Sequence, residues 1–498
     1  MILPRRLGVV AGGFALAVLS LTSAAGDEAK NAPKLPPGVK SVEHDRAVFR
    51  PDPSYADQPY DPKRQLEIYG GKHKNPAASQ LEIGRSLYEV GPLSASYNLL
   101  GKKNLLFPHL HVFGDFRSAL AYNDNGGVEQ WRWANRLNVD IDAKLTATER
   151  VHAFMRPLDK NGSFTRWDIE GNADEELEIQ LDGNLDALFF EGELGPIVAG
   201  VTDRPNRIDL PFAVGFMPLV YQNGIWVEDA FTGVAATIPS RNSRCLDISN
   251  MDTTFLFGFD RITSNAIVNS GGDRNDDAAR IWAVTSFIEA NRGYWELGYG
   301  YVDGQDPLSD LSYHNAMASF TKRYGNVLSN SVRVISNFGQ NRKGHAAQTA
   351  DGWAFLVENS WITSKPQTLV PYANFFYGKD RPQALARGAD GILKNTGISF
   401  ETDALTGFPK MDDSAQDTVG GALGLEYLFN LDQQIILETA VVHDLANDNK
   451  TKGDQFGLSA RWQKPINYAW ILRADIIHAW REHDDDLFGT RVEIRRKF

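Results

Sequence analysis

The chain has 498 residues with a single cysteine, Cys245, and carries 63 acidic against 51 basic side chains for a net charge of −12. One cysteine excludes an internal disulfide framework, zinc fingers and c-type haem attachment, each of which needs several thiols. The acidic balance argues against a nucleic-acid partner, whose phosphates call for an excess of Lys and Arg.

At the N-terminus Arg5 and Arg6 precede an apolar run from Leu7 to Leu21, followed by the small residues Ser23, Ala24 and Ala25. That order predicts a secretory signal peptide over residues 1–25, cleaved after Ala25, and export through the Sec pathway. The run is short for a bilayer helix, which needs roughly 20 residues. No later stretch is comparably apolar and the mean hydropathy is −0.33, so helical membrane spans are excluded. Residues 26–107 are dense in charge and proline, with Pro33, Pro36, Pro37, Pro51, Pro53, Pro59 and Pro62. They predict an extended, partly disordered periplasmic segment. A short strand over Gln65–Tyr69 and a short helix over Ser79–Tyr88 are expected within it.

From residue 108 to 498 the pattern changes to period-2 alternation. Trp131, Trp133, Leu137, Val139 and Ile141 alternate with Arg132, Arg136, Asn138, Asp140 and Asp142. Val419, Leu423, Leu425, Tyr427 and Phe429 oppose Gly420, Ala422, Gly424 and Glu426, and Trp470, Leu472, Ala474, Ile476 and Trp480 oppose Arg473, Asp475 and Arg481. Successive side chains of a strand point to opposite faces, so each run has one apolar and one polar face. Most runs reach the 9–11 residues or so that a tilted bilayer-crossing strand needs, longer than the five or six usual in soluble sheets.

The connections alternate in length. Tight turns are expected near Asn291–Arg292, Arg323–Asn326, Ser364–Pro366, Asn430–Asp432 and Pro465–Tyr468. Longer polar loops fall at Thr263–Ala278, Gly304–Asp310, Gly339–Asp351, Gly378–Asp417, Leu445–Asp454 and Glu482–Leu487. Sorting of this kind is what bacterial outer-membrane barrels show, with the tight turns periplasmic. Counting back from the end gives about twelve strands to Thr253 and about six more over Leu110–Pro239, hence about eighteen, with 16 the even alternative. Arg166–Glu170 and Leu177–Leu181 read equally as strand or loop. Aromatic rings on the apolar faces, Trp295, Tyr299, Phe375 and Tyr427 among them, suit the headgroup girdles of such a barrel.

The chain stops at Phe498, closing the alternating strand Phe488–Phe498. In this the chain resembles the Gram-negative outer-membrane porins, which end on a terminal aromatic. Arg496 departs from the apolar residue usual two positions before that end. The resemblance covers residues 108–498 in pattern. It implies an all-β transmembrane antiparallel barrel, an outer-membrane location in contact with lipid and lipopolysaccharide, recognition of Phe498 by the barrel-assembly machinery, and passive diffusion of small hydrophilic solutes. A homotrimer stands as an open partner reading.

A barrel of this size leaves an aqueous lumen unless it is plugged. The candidate pore-lining residues are Arg117, Arg132, Arg136, Asp140, Asp142, Arg333, Glu426, Glu438, Arg461, Arg473, Asp475, Arg491 and Glu493. Facing rows of opposite charge set up a transverse field across a wet constriction. The stretch Arg204–Phe231 is too apolar for a solvated loop, and it is expected to fold inward as a constriction element carrying Arg204, Arg207, Asp209, Glu228 and Asp229. An extra strand pair and a subunit contact are the competing readings of that stretch. No catalytic constellation emerges: His443 and Asp444 are adjacent, so a strand points them to opposite faces, and no nucleophile-elbow, zinc-protease or phosphate-loop motif occurs. Neither cofactor nor metal is expected. Other readings are a dedicated exporter, a barrel sheath around an electron-transfer partner, a barrel-embedded hydrolase, and a soluble secreted β-rich enzyme or binding protein.

Overall fold

A computed structural model describes residues 79–498 except 85–95, 100, 161, 172–174, 269–278, 342–347, 402–403, 430–432 and 447–452. The expected signal peptide (residues 1–25) and the expected strand Gln65–Tyr69 lie outside the described residues.

Among the described residues eighteen antiparallel wall strands succeed one another. The first nine are β1 (His109–Asn125), β2 (Glu129–Lys144), β3 in two pieces (Arg150–Met155 and Ser163–Gly171), β4 in two pieces (Glu176–Glu178 and Leu185–Glu193), β5 (Pro211–Tyr221), β6 (Val227–Ser243), β7 (Ile248–Asp260), β8 (Ala279–Ala290) and β9 (Gly293–Gly304). Then come β10 (Tyr313–Tyr324), β11 (Leu328–Phe338), β12 (Trp353–Trp361), β13 (Leu369–Lys379), β14 (Thr418–Phe429), β15 (Gln433–Asp444), β16 (Gln455–Pro465), β17 (Trp470–Arg481) and β18 (Leu487–Lys497). Each pairs with its neighbour in sequence, and β18 pairs back on β1 from Asp115↔Lys497 to Asn125↔Leu487. The sheet is a closed barrel, and closure leaves no edge whose backbone groups would face lipid unpaired. Phe498 completes the seam by exchanging backbone hydrogen bonds of 2.8 and 3.0 Å with Gly114.

The eighteen strands agree with the count read from the sequence, with twelve from β7 to the end. Of the two ambiguous segments, Arg166–Glu170 is strand throughout and Leu177–Leu181 only as far as Glu178, and they show how β3 and β4 are built. The first piece of β3 pairs with β2 at Val139–Lys144, and the second with β2 at Gln130–Asn135. Between the pieces the chain leaves the wall and returns through a small hairpin, Asp159↔Phe164. Ser79–Tyr88 is not the expected helix in its described part: Leu81–Ile83 is a strand on β1. That edge offers unpaired backbone groups, which an extended segment satisfies better than a helix can.

One end of the barrel has the short connections at residues 244–247, 291–292, 325–327, 362–368 and 466–469, and the other has 261–278, 305–312, 339–352 and 380–417. The short-turn end has one exception, residues 194–210, which begin with helix α1 (Leu194–Thr202). The apolar stretch Arg204–Phe231 is not an inserted loop. Its apolar residues become β5, a tight connection and the start of β6, which pair with each other from Tyr221↔Val227 to Phe212↔Ala236. Strand pairing, one of the competing readings of that stretch, gives most of those apolar side chains a wall position, while Ile225 and Trp226 of the connection are buried inside the barrel.

The alternation sets the two surfaces. Leu120, Trp131, Trp133, Phe255, Trp282, Tyr299, Trp353, Phe375 and Trp480 stand exposed on the outside, where lipid would cover them. Among the described residues no helix is long and apolar enough to cross a membrane.

Candidate functional site: the lumen and its inner loop

The connection between β13 and β14, residues 380–417, folds into the barrel. It enters as a strand, with Ala386 and Arg387 pairing in parallel with Val227 and Glu228 at the top of β6. Backbone bonds Leu385 N to Trp226 O (2.8 Å), Arg387 N to Thr263 O (2.9 Å) and Gly388 N to Glu228 O (3.0 Å) fix this arm. Trp226 is fully buried beneath it. Its indole N–H donates to Asn315 Oδ1 at 2.6 Å, and Asn315 donates in turn to Gln383 O at 2.8 Å. A buried indole needs such a partner, since an orphaned donor costs about 1–3 kcal/mol.

Charges tie the next turn. Arg387, 2% exposed, donates to the carbonyls of Gly391 and Gly224 and lies 3.7 Å from Glu228. Lys394 reaches Glu228 at 3.2 Å, and Lys410 holds Asp390 at 2.6 Å and Asp413 at 2.5 Å. Burial pushes the Asp413 carboxyl above its ordinary range, and Lys410 offsets this only in part. Burial likewise lowers the Arg387 guanidinium from its usual value, opposed by Glu228.

The loop then crosses to the opposite wall. Glu438 of β15 accepts the amides of Ile398 (3.0 Å) and Ser399 (2.8 Å) together with the Tyr372 hydroxyl (2.5 Å). Ser399 and Ser459 hydroxyls meet at 2.8 Å, and Arg461 donates to Glu401 at 2.8 Å. Asn123 and Asn125 of β1 donate to the carbonyls of Thr406 and Gly407 at 2.7 and 3.0 Å. Leu405 packs with Phe164, Ala119 and Ala134, so the excursion in β3 meets the tip of the loop inside the barrel.

Wall glycines make sockets for loop side chains. A Cβ on Gly457 would stand 2.4 Å from Met411 Sδ, one on Gly489 2.6 Å from Pro409 Cδ, and one on Gly300 2.5 Å from a Leu385 methyl. Contacts that short do not exist between real atoms, so any larger residue there displaces the loop.

Beside the loop runs an arginine-rich wall. Arg117, Arg132, Arg136, Arg461, Arg473, Arg491 and Arg495 share the inner face of β16–β18, β1 and β2 with Asp115, Asp475 and Glu493. Asp475 accepts from three of them, Arg461 (2.7 Å), Arg473 (2.8 Å) and Arg491 (2.9 Å). Arg117 forks onto Glu493 at 3.0 and 2.6 Å, and Arg495 lies 2.9 Å from Asp115. Arg132 pairs with Asp168 at 2.6 Å. Arg136 stands over the Phe164 ring and Arg491 over Phe408, at 5.5 and 5.0 Å, geometries in which a ring face attracts a cation.

The remaining sequence candidates distribute as follows. Asp140 and Asp142 stand on β2 toward the short-turn end, where Asp142 meets Arg150 at 3.3 Å. Arg333, 2% exposed, is held by Glu358 at 3.2 Å, and Glu426 accepts from Gln434 at 2.6 Å. Glu228 and Asp229 stand at the start of β6, where Glu228 meets Arg387 and Lys394 of the inner loop and Asp229 accepts the Thr263 amide at 2.7 Å. Arg204, Arg207 and Asp209 do not meet the inner loop: they are exposed between α1 and β5, at the end away from it. In the sequence pattern Gly378–Asp417 is one more long polar loop. Two signals mark it as buried: its apolar residues Leu385, Ile392, Leu393, Phe400, Leu405, Phe408 and Met411, and inward-facing glycines in strands, where a strand otherwise disfavours glycine. Among the described residues no group of three or more His, Cys, Asp or Glu could hold a metal ion.

No protein-family model and no curated protein matches the sequence. Solved structures do match it in fold. Pseudomonas aeruginosa OccK5 (OpdH) superposes with a TM-score of 0.51 at 10% identity, covering 78% of this chain and 98% of that one. P. aeruginosa OpdK, solved with vanillate, gives 0.52 at 12% identity with the same coverage. P. aeruginosa OccK2 (OpdF) gives 0.50 at 11% identity, covering 78% and 97%. Eighteen strands closed on themselves, with tight turns at one end and longer loops at the other, thus give this chain the fold of the P. aeruginosa OccK and OpdK barrels.

Proposed function

We propose that the protein is a passive outer-membrane channel for small hydrophilic solutes, constricted by residues 380–417 and biased toward anions. The observation that carries this is the arginine-rich inner wall of β16–β18, β1 and β2, where guanidiniums outnumber the carboxylates among them. A narrow wet path lined by excess positive charge lowers the energy of a passing anion and raises that of a cation. The folded-in loop favours a selective pore over a wide sheath for a partner protein, because it already occupies the lumen a partner would need. The channel reading also accounts for the charged inner residues as a solute path, with no catalytic role assigned to any of them. The OpdK structure holds vanillate, an anionic solute compatible with such a wall. The test is single-channel recording in planar bilayers across a KCl gradient, with outer-membrane fractionation in parallel. Discrete steps with a reversal potential toward chloride are expected. Steps with a potassium preference would refute the bias, and a membrane-embedded protein without steps would refute the open channel.

A further inference from the structure

The seam of the barrel holds a feature the channel reading does not use. Strand β1 begins at His109, but β18 ends at Lys497 opposite Asp115 and Phe498 bonds to Gly114. Beyond that point one edge of β1 would be free. Leu81–Ile83 fills it, in the register Leu81↔Val112, Glu82↔His111 and Ile83↔Leu110, so this piece of the N-terminal segment prolongs the line of β18 past the terminal phenylalanine.

Register decides which way its side chains point. On β1 the inner face carries His111, Asp115 and Arg117, and the outer face carries Leu110, Val112, Phe116 and Leu120. Cross-strand partners share a face. Glu82 therefore lies inside with His111, 3.9 Å away, and Leu81 and Ile83 continue the outward row. They are 46% and 55% exposed. They stand two to four residues past Gly114, roughly 5–10 Å beyond Phe498 along a tilted strand. In a barrel whose terminal Phe498 lies at the edge of the hydrocarbon core, that step ends in the headgroup layer.

Resting on the membrane-barrel reading above, we propose that Leu81 and Ile83 form a membrane-contacting foot at the barrel seam, whose partner is the headgroup–acyl boundary of the periplasmic-side phospholipid leaflet. The occupant follows from continuity: the two side chains extend an apolar row that is itself lipid-facing, and apolar groups at that level gain by leaving water.

The test uses the full mature chain in phosphatidylcholine vesicles with nitroxide-bearing lipid. Cys245 is exposed, so a Cys245→Ser background carries Leu81→Cys, Ile83→Cys or Leu120→Cys, each labelled with bimane. Quenching of labels 81 and 83 by the lipid nitroxide, with protection from aqueous iodide, is the expected result. Quenching of both by iodide alone, while label 120 is still quenched by lipid, overturns the foot and leaves the barrel reading standing. A label at 120 that lipid does not quench overturns both. Glu82→Cys adds a check by alternation: its label should escape the lipid quencher, and equal quenching at 81, 82 and 83 would refute the register argument.

Discussion

Asp475 holds the arginine-rich wall together, and replacing it tests the electrostatic argument directly. Asp475→Asn keeps the shape and one acceptor oxygen but removes the carboxylate shared by Arg461, Arg473 and Arg491. The wall gains one unit of net positive charge. A chloride passing about 5 Å away is then stabilised by 332/(80 × 5), about 0.8 kcal/mol through water, and by about 3 kcal/mol at an effective dielectric near 20. The smaller figure alone is about a fourfold change in anion occupancy. The anion-to-cation permeability ratio, from reversal potentials in a KCl gradient, should rise at least about fourfold. The rise should shrink at high salt, because exposed charges are screened within about 3 Å at 1 M. The same substitution removes charge-assisted hydrogen bonds worth about 1.5–3 kcal/mol each, so the unfolding temperature in detergent should fall. A ratio that stays unchanged or moves toward potassium, in a variant still migrating as a folded barrel, would refute the placement of these arginines along the solute path.

The inner loop supplies the other expectations. Replacing residues 385–411 by a short Gly-Ser link should raise single-channel conductance, and unchanged conductance would show that the constriction lies elsewhere. Gly457→Leu should drive Met411 from its socket at a cost of about 1–3 kcal/mol, read as flickering current and faster protease cleavage of the loop in intact vesicles. Trp226→Ala should loosen the entering arm by about 3–5 kcal/mol and leave Asn315 Oδ1 without its indole donor, with the same readouts. A pH effect follows from Asp413, whose pKa burial raises. The docked loop binds that proton more tightly than the undocked one, so docking strengthens as pH falls through the ordinary carboxylate range and weakens as pH rises through the raised value. Loop-closed dwell times should therefore lengthen at acid pH, and Asp413→Asn should abolish that dependence.

Much of this was legible in the sequence because strand geometry is local. Period-2 alternation places Arg132 and Trp133 on opposite faces whatever the rest of the chain does, and the terminal strand Phe488–Phe498 carries its inward arginines by the same rule. Loop lengths sorted the two ends. The same rule was too weak for Arg204–Phe231, where apolar content was read as an inserted loop and proved to be the pair β5–β6; glycine, proline and aromatic residues there blur the alternation. The strand Leu81–Ile83 gave no sequence signal, since three residues define no period and its partner edge exists only once β18 ends early.

The sequence by itself determined the class of surface each strand presents: an apolar outside and a charged inside. Those follow from backbone stereochemistry and the cost of leaving peptide groups unpaired in lipid. Only the tertiary structure decided which loop folds into the barrel and which inner residues that loop or another strand covers. Glu438, Arg333 and Arg491 share the inward pattern of Arg473, yet Glu438 anchors the loop, and Arg333 and Arg491 are buried against Glu358 and Asp475. Whether an inward charge meets water, a loop amide or another strand depends on contacts between residues hundreds of positions apart, such as Arg117 with Glu493 and Asn123 with Thr406, and no local periodicity encodes those.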